Sequence, residues 1–338
     1  MIDRPQAPTV TVVIPTFNRR ESLERVIDSV LGDPAATEVV VVVDGSSDGS
    51  IELLEQVARL QPRVKPVVVE HRGLNATLQE GVERATSEVV LILDDDLEAT
   101  PGLVSGHARH HQAEPELVVL GYSPVVRSAA GGDAVAASLY EEAYERSCRS
   151  FEQRPQDLLL HTYGGHMSIR RSACLRVGVY SPRFQERYHP DREFGIRCLK
   201  AGLVGRFDRS LVARHHYSRS LSELRRDARS QGSATAVIHQ LHPDVVGPVD
   251  PNVSLAGAPP PARAAIRLSR HRHVHYVAAA NLTGLVRLLG ILHARSLQQN
   301  AAKLLVRMEH QRGLYDALAQ DSQPTSQCRQ AGRENRCS

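Results

Sequence analysis

The sequence predicts an α/β fold in which helices flank a mostly parallel central sheet, and three observations support this prediction. Short aliphatic runs that suit buried strands alternate with segments whose apolar residues recur at helical spacing, from Thr9 to Leu93. The resulting β-α-β-α-β-α-β order is typical of parallel sheets with right-handed crossovers. Acidic turns follow two of these strands, at the sheet edge where open α/β folds bind their ligands.

The first four strands and three helices are each predicted by a local pattern. Asn18 is a suitable N-cap for the first helix, since Glu21 follows three residues later. The apolar face of that helix recurs from Leu23 to Leu31. The aliphatic strands are predicted at 9–14, 38–43, 64–69 and 89–93, and the second and third helices at 50–60 and 74–82.

The second half of the chain is less regular, and it ends in a helical C-terminal extension. An apolar helical face is predicted from Leu282 to Met308. This face is open to three interpretations: it covers the rest of the chain, pairs with another subunit or contacts a membrane surface. The other predictions are helices at 101–111, 134–151 and from 191, strands at 117–120 and 211–217, a loop at 131–133, a Pro/Gly-rich linker at 248–261, strand-like alternation of His271, His273 and His275, and a disordered polar tail at 321–338.

Composition limits the classes of partner that we expect. The 338 residues are 41% hydrophobic, which suits one large globular domain or two smaller ones. The net charge of +3 is nearly balanced, so we expect no nucleic-acid partner. Aromatic residues make up only 4% of the chain and include no Trp. This scarcity argues against extensive aromatic platforms for bases or sugars.

Cysteine usage and hydropathy predict a cytoplasmic protein, with peripheral association at a membrane left open. The five cysteines are odd in number and scattered without C-x-x-C spacing, as expected in a reducing compartment. Residues 1–9 lack an apolar signal segment. No uninterrupted apolar segment reaches the roughly 18 residues that a membrane span needs.

Three consecutive carboxylates, Asp94 to Asp96, follow the strand at 89–93. Adjacent negative charges repel one another, and carboxylate oxygens suit Mg²⁺ or Mn²⁺. A second acidic turn begins at Asp44, where a carboxylate can accept an N–H from a nucleobase. Together the two turns predict a nucleotide-diphosphate site, while a solvated acidic turn and a turn-forming Asp-Gly pair are the alternatives. Neither G-x-G-x-x-G nor a P-loop motif is present after the first strand.

Three segments in order resemble the signatures of family 2 glycosyltransferases of the GT-A fold. They are Pro-Thr-Phe-Asn-Arg at 15–19, Val-Asp-Gly-Ser-Ser-Asp-Gly at 43–49 and Leu-Asp-Asp-Asp at 93–96. The resemblance covers about residues 8–230 and implies a Rossmann-like sheet and a metal-dependent, inverting transfer from a nucleotide-diphosphate sugar. Two departures stand out: Val43 occupies the place of a family Asp, and Leu78-Gln79 that of the usual Arg-Asn.

The resemblance also implies a set of site residues. Asp96 would be the main ligand of Mg²⁺ or Mn²⁺, and one of His215 and His216, which follow an apolar run, would meet the metal or diphosphate. Arg219, Arg225 and Arg226, on the next predicted helix, either meet phosphate or form a solvated face. Gly165 and His166 belong to a Gly-rich segment, for which the alternative is a Gly-rich start of a strand. The residues of the donor site would be Pro15, Thr16, Asn18, Arg19, Asp44, Asp94, Asp95, Gly165 and His166.

Asp191 is the predicted catalytic base. It lies in a His-Pro-Asp-Arg-Glu-Phe-Gly-Ile-Arg stretch at 189–197 that resembles a family motif at a helix start. An inverting transfer needs a group that takes the proton of the acceptor hydroxyl, and a carboxylate within hydrogen-bond reach can do so. The alternative is a purely capping Asp at a helix N-terminus, and the two roles are compatible.

These inferences predict a domain plan and leave the substrate open. The catalytic domain is expected at 1–232, with a nucleotide-sugar half at about 8–120 and an acceptor half at 121–232. The linker and helical region follow at 233–320. A UDP-sugar is the favoured donor, and the acceptor is a glycan, a lipid-linked molecule or a small molecule. A sugar nucleotidyltransferase and a catalytically silent nucleotide-sugar-binding protein are the alternative functions.

Overall fold

The computed structural model describes residues 7–127, 133–179, 181, 184 and 190–321. The chain forms two compact units, Met1–Ser220 and Leu221–Ser338, which we call units 1 and 2. The predicted boundary at 232 lies inside a helix of unit 2, Leu221–Leu241. The predicted loop residues 131 and 132, and the predicted tail from 322 onward, lie outside the described residues.

Unit 1 is an α/β structure, as predicted. Its described strands are β1 Val10–Thr16, β2 Ala36–Asp44, β3 Val64–Val69, β4 Val89–Leu93, β5 Leu97–Ala99, β6 Leu117–Tyr122, β7 Val125–Arg127, β8 His166–Arg170 and β9 Val204–Tyr217. Its described helices are α1 Arg20–Leu31, α2 Ser50–Leu60, α3 Leu74–Arg84, α4 Leu103–Ala113, α5 Ala134–Gln153, α6 Arg171–Val177 and α7 Pro190–Lys200, with a 3₁₀ helix at Pro155–Leu160.

The sheet is mixed, with a parallel half and an antiparallel insertion. Its strand order is β3-β2-β1-β4-β8-β6-β9-β5, and β7 pairs with β9. The first four strands are mutually parallel, which confirms the predicted parallel arrangement. β8 then runs antiparallel between β4 and β6. The short β5, which the sequence did not predict, pairs antiparallel with β9 directly after the acidic turn.

Helices cover both faces of this sheet, because the central strands are apolar on both sides. All five residues of β4 and all seven of β1 are buried. Leu23, Val26, Ile27 and Val30 of α1 pack on one face, and Leu78 and Val82 of α3 on the other. The strand register, with Val13 beside Ile92 in β4, brings the carboxyl ends of β1, β2 and β4 to one edge.

Unit 2 is helical in its described part. Its elements are α8 Leu221–Leu241, α9 Pro243–Val246, a 3₁₀ helix at Val253–Leu255, α10 Pro260–Leu268, α11 Arg272–Ile291 and α12 Arg295–Asp321. The strand-like alternation of three histidines was therefore a wrong prediction, since His273 and His275 lie in α11. His275 is buried because helical spacing places it beside Ala279 and Val286 on the packed face.

Helix α11 is also long and apolar enough to cross a membrane, judged by length and composition alone. The sequence predicted no segment of this kind, because a charged residue, Arg287, interrupts the apolar run.

Gly81 tests the packing of α3 on the sheet. A Cβ at this position would lie 2.4 Å from Val13 Cγ1 and 3.1 Å from Val42 Cγ2. We expect Gly81→Val to lower the free energy of unfolding by about 1–3 kcal/mol, because the added atoms overpack a closed interface. Urea denaturation measures the change. The control is Gly32→Val, where no atom lies within 4 Å of the new Cβ; equal losses in both variants would contradict the packing argument.

Candidate active site

The acidic turn leaves β4 at the carboxyl edge of the sheet. The Asp94 backbone N–H donates to the carbonyl oxygen of Gly165 at 2.9 Å, and the Leu97 N–H donates to the Asp94 carbonyl at 3.0 Å. The turn is thereby tied to the segment that precedes β8. Because β5 follows at once and pairs with β9, the turn also lies against the carboxyl end of β9.

Gly165 is required by the position of the Asp94 carboxylate. A Cβ at Gly165 would lie 2.1 Å from Asp94 Oδ2 and 2.7 Å from Asp94 Cγ. No side chain can occupy that space unless the carboxylate moves. Gly165, predicted as a donor-binding residue, therefore sets the position of an acidic side chain.

Two of the three carboxylates, Asp94 and Asp95, are poorly compensated. Burial and the charges of Asp96 and Asp95 raise the pKa of Asp94 to about 8, although the Arg219 cation opposes this. Burial and Asp96 raise the pKa of Asp95 to about 6, although the charge of Arg19 acts to lower it. The turn thus concentrates negative charge in a largely desolvated place.

Asp96 and His215 face each other across the β5–β9 pair. His215 Nε2 lies 3.5 Å from Asp96 Oδ2, and the Asp96 side chain is 17% exposed. Burial acts to raise the pKa of Asp96, but His215, with Arg19 and Arg219, lowers it below its usual value. Asp96 is therefore the carboxylate of the three that stays ionised most readily.

His216 does not join this pair. Its Nε2 lies 2.7 Å from Glu98 Oε2, so its ring contacts a different carboxylate. Successive side chains of a strand point to opposite faces, so the two adjacent histidines cannot both meet Asp96. Of the two histidines left open by the sequence, the geometry favours His215.

Asp191 lies in the first turn of α7, which begins at Pro190. Its Oδ2 accepts a hydrogen bond from the Gly164 N–H at 2.8 Å, and its Oδ1 accepts one from the Arg192 N–H at 3.0 Å. The carboxylate is therefore held beside the Gly-rich segment. These contacts anchor the carboxylate, and the catalytic role of Asp191 stays a prediction.

One cavity collects five of the predicted site residues. Its lining includes Asp94, Gly165, His166, Asp191 and His215. These residues come from four separate parts of the chain: the acidic turn, the start of β8, α7 and the carboxyl end of β9.

Sequence reasoning missed the aromatic wall of this cavity. Tyr140, Tyr144 and Tyr163 line it, and Tyr140 meets the His215 ring edge-on at 5.2 Å. The low aromatic content argued against such a wall, yet the few tyrosines gather here. Tyr140 and Tyr144 lie four residues apart on α5, and this helical spacing was the signal that could have revealed a shared face.

His166 differs from its prediction as a donor-binding residue. Its Nε2 lies 3.1 Å from His107 Nε2, and its Nδ1 lies 3.1 Å from Ser123 Oγ. Both ring nitrogens are thus engaged within the protein, and burial lowers the pKa of His166 to about 3. The neutral His166 ring forms part of the cavity wall. Gly121 leaves room for this ring, because a Cβ at Gly121 would lie 2.1 Å from His166 Cε1.

Asn18, at the end of β1, was predicted as an N-cap, but α1 begins at Arg20 and Asn18 has a left-handed φ of 52°. Its side-chain oxygen accepts the Ser47 N–H at 2.8 Å, and its own N–H donates to Ser46 Oγ at 2.9 Å. Asn18 therefore links two turns at the edge of the sheet. The cap prediction was wrong because the chain needs a tight turn here before the helix starts.

Asp44 is buried beneath the same edge. Its two carboxylate oxygens accept the backbone N–H groups of Arg72 at 2.8 Å and Gly73 at 3.0 Å. Beside it, His71 contacts the exposed Phe17 ring with centroids 4.6 Å apart. Asp44 therefore organises the loop after β3, and the Phe17–His71 pair offers a flat surface next to it. Pro15 and Thr16 are buried in β1.

The residues around the acidic turn fit a hard divalent cation. Among the described residues, no three His, Cys, Asp or Glu side chains converge as a ready-made metal cage. Mg²⁺ and Mn²⁺ in phosphate-binding sites commonly use one or two carboxylates and take their other ligands from phosphate oxygens and water. A row of carboxylates with one imidazole beside it has this chemistry.

Comparison with known proteins places the chain in a family. The sequence profile described as "Glycosyl transferase family 2" matches residues 11–178, which hold the acidic turn and the Gly-rich segment. The chain belongs to glycosyltransferase family 2. The match ends before Asp191 and His215, so the profile does not bear on those two residues.

Relatives and solved structures agree with this membership. A glucosyl-dolichyl phosphate glucuronosyltransferase from Haloferax volcanii is 26% identical over 51% of this chain and 55% of its own length. A GalNAc(5)-diNAcBac-PP-undecaprenol beta-1,3-glucosyltransferase from Campylobacter jejuni is 33% identical over 29% of this chain and 33% of its own. The matched part thus spans about half or less of these family 2 relatives.

A mannosyltransferase from Pyrobaculum calidifontis, solved with GDP-Man and Mn²⁺, has the same fold as this family 2 chain. It superposes with a TM-score of 0.58 at 18% identity and covers 92% of this chain and 88% of its own. This likeness confirms the predicted GT-A fold.

Replacing Gly165 by Ala tests the geometry of the acidic turn. The new Cβ must displace the Asp94 carboxylate, so we expect Mn²⁺ to bind about tenfold more weakly or worse in the presence of UDP. Electron paramagnetic resonance of free Mn²⁺ measures the affinity. Gly32→Ala, in open space, is the matched control. If both variants bind Mn²⁺ equally, the position of Asp94 does not depend on Gly165.

Proposed function

We propose that the protein is a metal-dependent, inverting glycosyltransferase that moves a sugar from a nucleotide-diphosphate sugar to an acceptor hydroxyl. The observation that carries this proposal is the cavity whose lining includes Asp94, Asp191 and His215 beside the carboxyl edge of the sheet. It provides acidic groups for a metal–diphosphate and a separate carboxylate for proton transfer. Family membership supports the same class of reaction.

Asp96 is the proposed main ligand of Mg²⁺ or Mn²⁺, with His215 next to it. When bound, the cation offsets the negative charge that develops on the departing diphosphate. Asp94 and Asp95 complete the acidic surface that faces the ribose and diphosphate. The cations of Arg19 and Arg219 act on the same carboxylates and are suited to hold phosphate oxygens.

The nucleoside is proposed to lie at the ends of β1 and β2, beside Pro15, Thr16 and Asp44. A UDP-sugar remains the favoured donor. Phe17 and His71 join this part of the site, because their exposed rings lie against each other next to Asp44. Stacking of a base on such a surface tolerates every base, so it does not select uracil by itself.

Asp191 is the proposed base. Its carboxylate takes the proton of the acceptor hydroxyl while the acceptor oxygen forms a bond to the anomeric carbon. The bond from that carbon to the diphosphate oxygen breaks on the opposite face, and the nucleoside diphosphate leaves with the electron pair. An α-linked donor thus gives a β-glycoside, and the sugar forms no covalent bond to the protein. The hydrogen bonds from Gly164 and Arg192 fix the carboxylate for this step.

A lipid-linked molecule is the proposed acceptor class. The names of the relatives from Haloferax volcanii and Campylobacter jejuni contain a lipid carrier, dolichyl phosphate in the first and PP-undecaprenol in the second. In this chain the tyrosines of α5 give the cavity an amphipathic wall, which suits the apolar face of a sugar ring and its hydroxyls.

Asp191→Asn separates catalysis from helix capping. We expect the turnover rate to fall by about 10²–10⁴-fold, because the amide cannot accept the hydroxyl proton. The donor KM and the thermal midpoint should change little, since the Asn oxygen still accepts a backbone N–H. Steady-state kinetics with a UDP-sugar and thermal unfolding measure these quantities. A lowered midpoint with an unchanged rate would leave Asp191 as a cap only.

Asp96→Ala tests the metal role. We expect Mn²⁺-dependent turnover to be abolished while the fold remains intact, because the carboxylate that stays ionised most readily is lost. Glu98→Ala is the matched control, because Glu98 pairs with His216 and not with His215. Full activity in Asp96→Ala would refute the metal role.

The donor is identified in the wild-type protein by thermal shift with UDP-, GDP- and dTDP-sugars, each with Mn²⁺. A ligand that binds the native state raises its apparent stability, so the best donor gives the largest shift.

A further inference from the structure

We propose that one face of helix α11 docks on the surface of an anionic phospholipid membrane. The face is a stripe of residues at helical spacing along the whole helix, which we call the α11 stripe: Val274, Val277, Asn281, Leu285, Leu288 and Leu292. Five of the six are aliphatic. This proposal does not depend on the proposed catalytic activity.

The α11 stripe is exposed over its entire length. Val277 and Leu292 are each 63% exposed, and Leu288 is 51% exposed. Ile291, next to the stripe, is 74% exposed. Scattered exposed aliphatic residues are ordinary, but five of them in one row along a helix mark a surface that meets an apolar partner.

An apolar groove in unit 2 widens the stripe. The groove has a volume of about 310 Å³ and is lined by α10, α11 and α12. Val274, Asn281 and Leu285 of the stripe form one of its walls, and Leu268 of α10 and Leu304 of α12 form others. Stripe and groove therefore form one apolar surface, with room for acyl chains at its edge.

The charge of the surrounding sequence selects the partner. Residues 251–308 contain eight Lys or Arg and no Asp or Glu. Arg267, Arg270 and Arg272 are exposed and cluster where α10 ends and α11 begins. An apolar face bordered by cations is the pattern of helices that lie in the interface of anionic membranes, where apolar burial and attraction to acidic head groups act together.

The opposite face of α11 shows why the helix lies on a membrane rather than across it. His275 is buried, and its Nε2 lies 3.2 Å from Glu309 Oε2 of α12. Arg225 of α8 donates to the same Glu309 at 2.6 Å and to Thr283 of α11 at 3.0 Å. A spanning helix would have to break this buried polar network. An interfacial helix keeps it and buries only the stripe.

A second copy of the chain is the competing occupant of the stripe. In a two-fold dimer the same patch faces itself, so the cations around one stripe would approach those of the other. No acidic residue between 251 and 308 offsets this repulsion. The charge pattern therefore favours acidic lipid over self-association.

Vesicle co-sedimentation tests the proposal with the full chain. We expect binding to vesicles that mix phosphatidylcholine with phosphatidylglycerol, and much weaker binding to phosphatidylcholine alone. Added salt should weaken the binding to mixed vesicles, because it screens exposed charges. Leu285→Ser combined with Leu288→Ser should reduce binding about tenfold or more, since both side chains would otherwise enter the lipid.

Matched variants distinguish binding through the α11 stripe from nonspecific binding by exposed apolar or basic residues elsewhere in the chain. Leu60→Ser changes an aliphatic residue of unit 1 that is 80% exposed, and we expect it to leave binding unchanged. Arg267→Glu with Arg270→Glu should abolish the preference for phosphatidylglycerol, whereas Arg59→Glu in unit 1 should not. Circular dichroism verifies that each variant is folded.

The proposal fails if the Leu285 and Leu288 double variant binds mixed vesicles as well as wild type does. It also fails if wild type does not bind them. Light scattering after size exclusion then identifies the other occupant, because a dimer that the same double variant dissociates would assign the stripe to a second copy.

Discussion

The burial of three consecutive carboxylates at the end of β4 is the constraint on which the rest of unit 1 depends. Such a cluster is stable only if nearby cations and N–H groups offset its charge. Arg19 reaches it from the end of β1, and His215 and Arg219 from the end of β9 and the segment after it. Gly165 admits the Asp94 carboxylate by lacking a side chain. The later strands β8 and β9 are thus as necessary to the acidic turn as the parallel strands that precede it.

The part of the fold that the sequence predicted well is the part that local patterns encode. The strands at 64–69 and 89–93 match the structure because each is a valine-rich or aliphatic run with clear ends, although β4 is fully buried and β3 is a partly exposed edge strand. Asp94 to Asp96 and Asp44 follow strands directly, so their edge of the sheet follows from topology alone. By contrast, β5 has three residues and exists through its pairing with distant β9. No local sequence pattern predicts such a short strand.

The side chains whose surroundings the sequence did not reveal are those whose partners lie far along the chain. His166 seemed open to a ligand, but His107 and Ser123, 59 and 43 residues away, engage both ring nitrogens. The two histidines at 215 and 216 became distinguishable only through their separate partners, Asp96 for His215 and Glu98 for His216. The tyrosines that line the cavity were not predicted, because composition gives the number of aromatic residues and not their positions in the fold.

The near-neutral charge of the chain hides two regions that are strongly charged and opposite in sign. The acidic turn of unit 1 holds more negative charge than its neighbours offset, whereas residues 251–308 of unit 2 hold eight cations and no acid. A folded protein keeps such excesses where a partner of the opposite charge supplies the balance, since otherwise self-repulsion only costs stability. A divalent cation with a diphosphate suits the first region, and a surface of acidic head groups suits the second. Both proposals therefore follow from one principle, applied to local charge instead of the total.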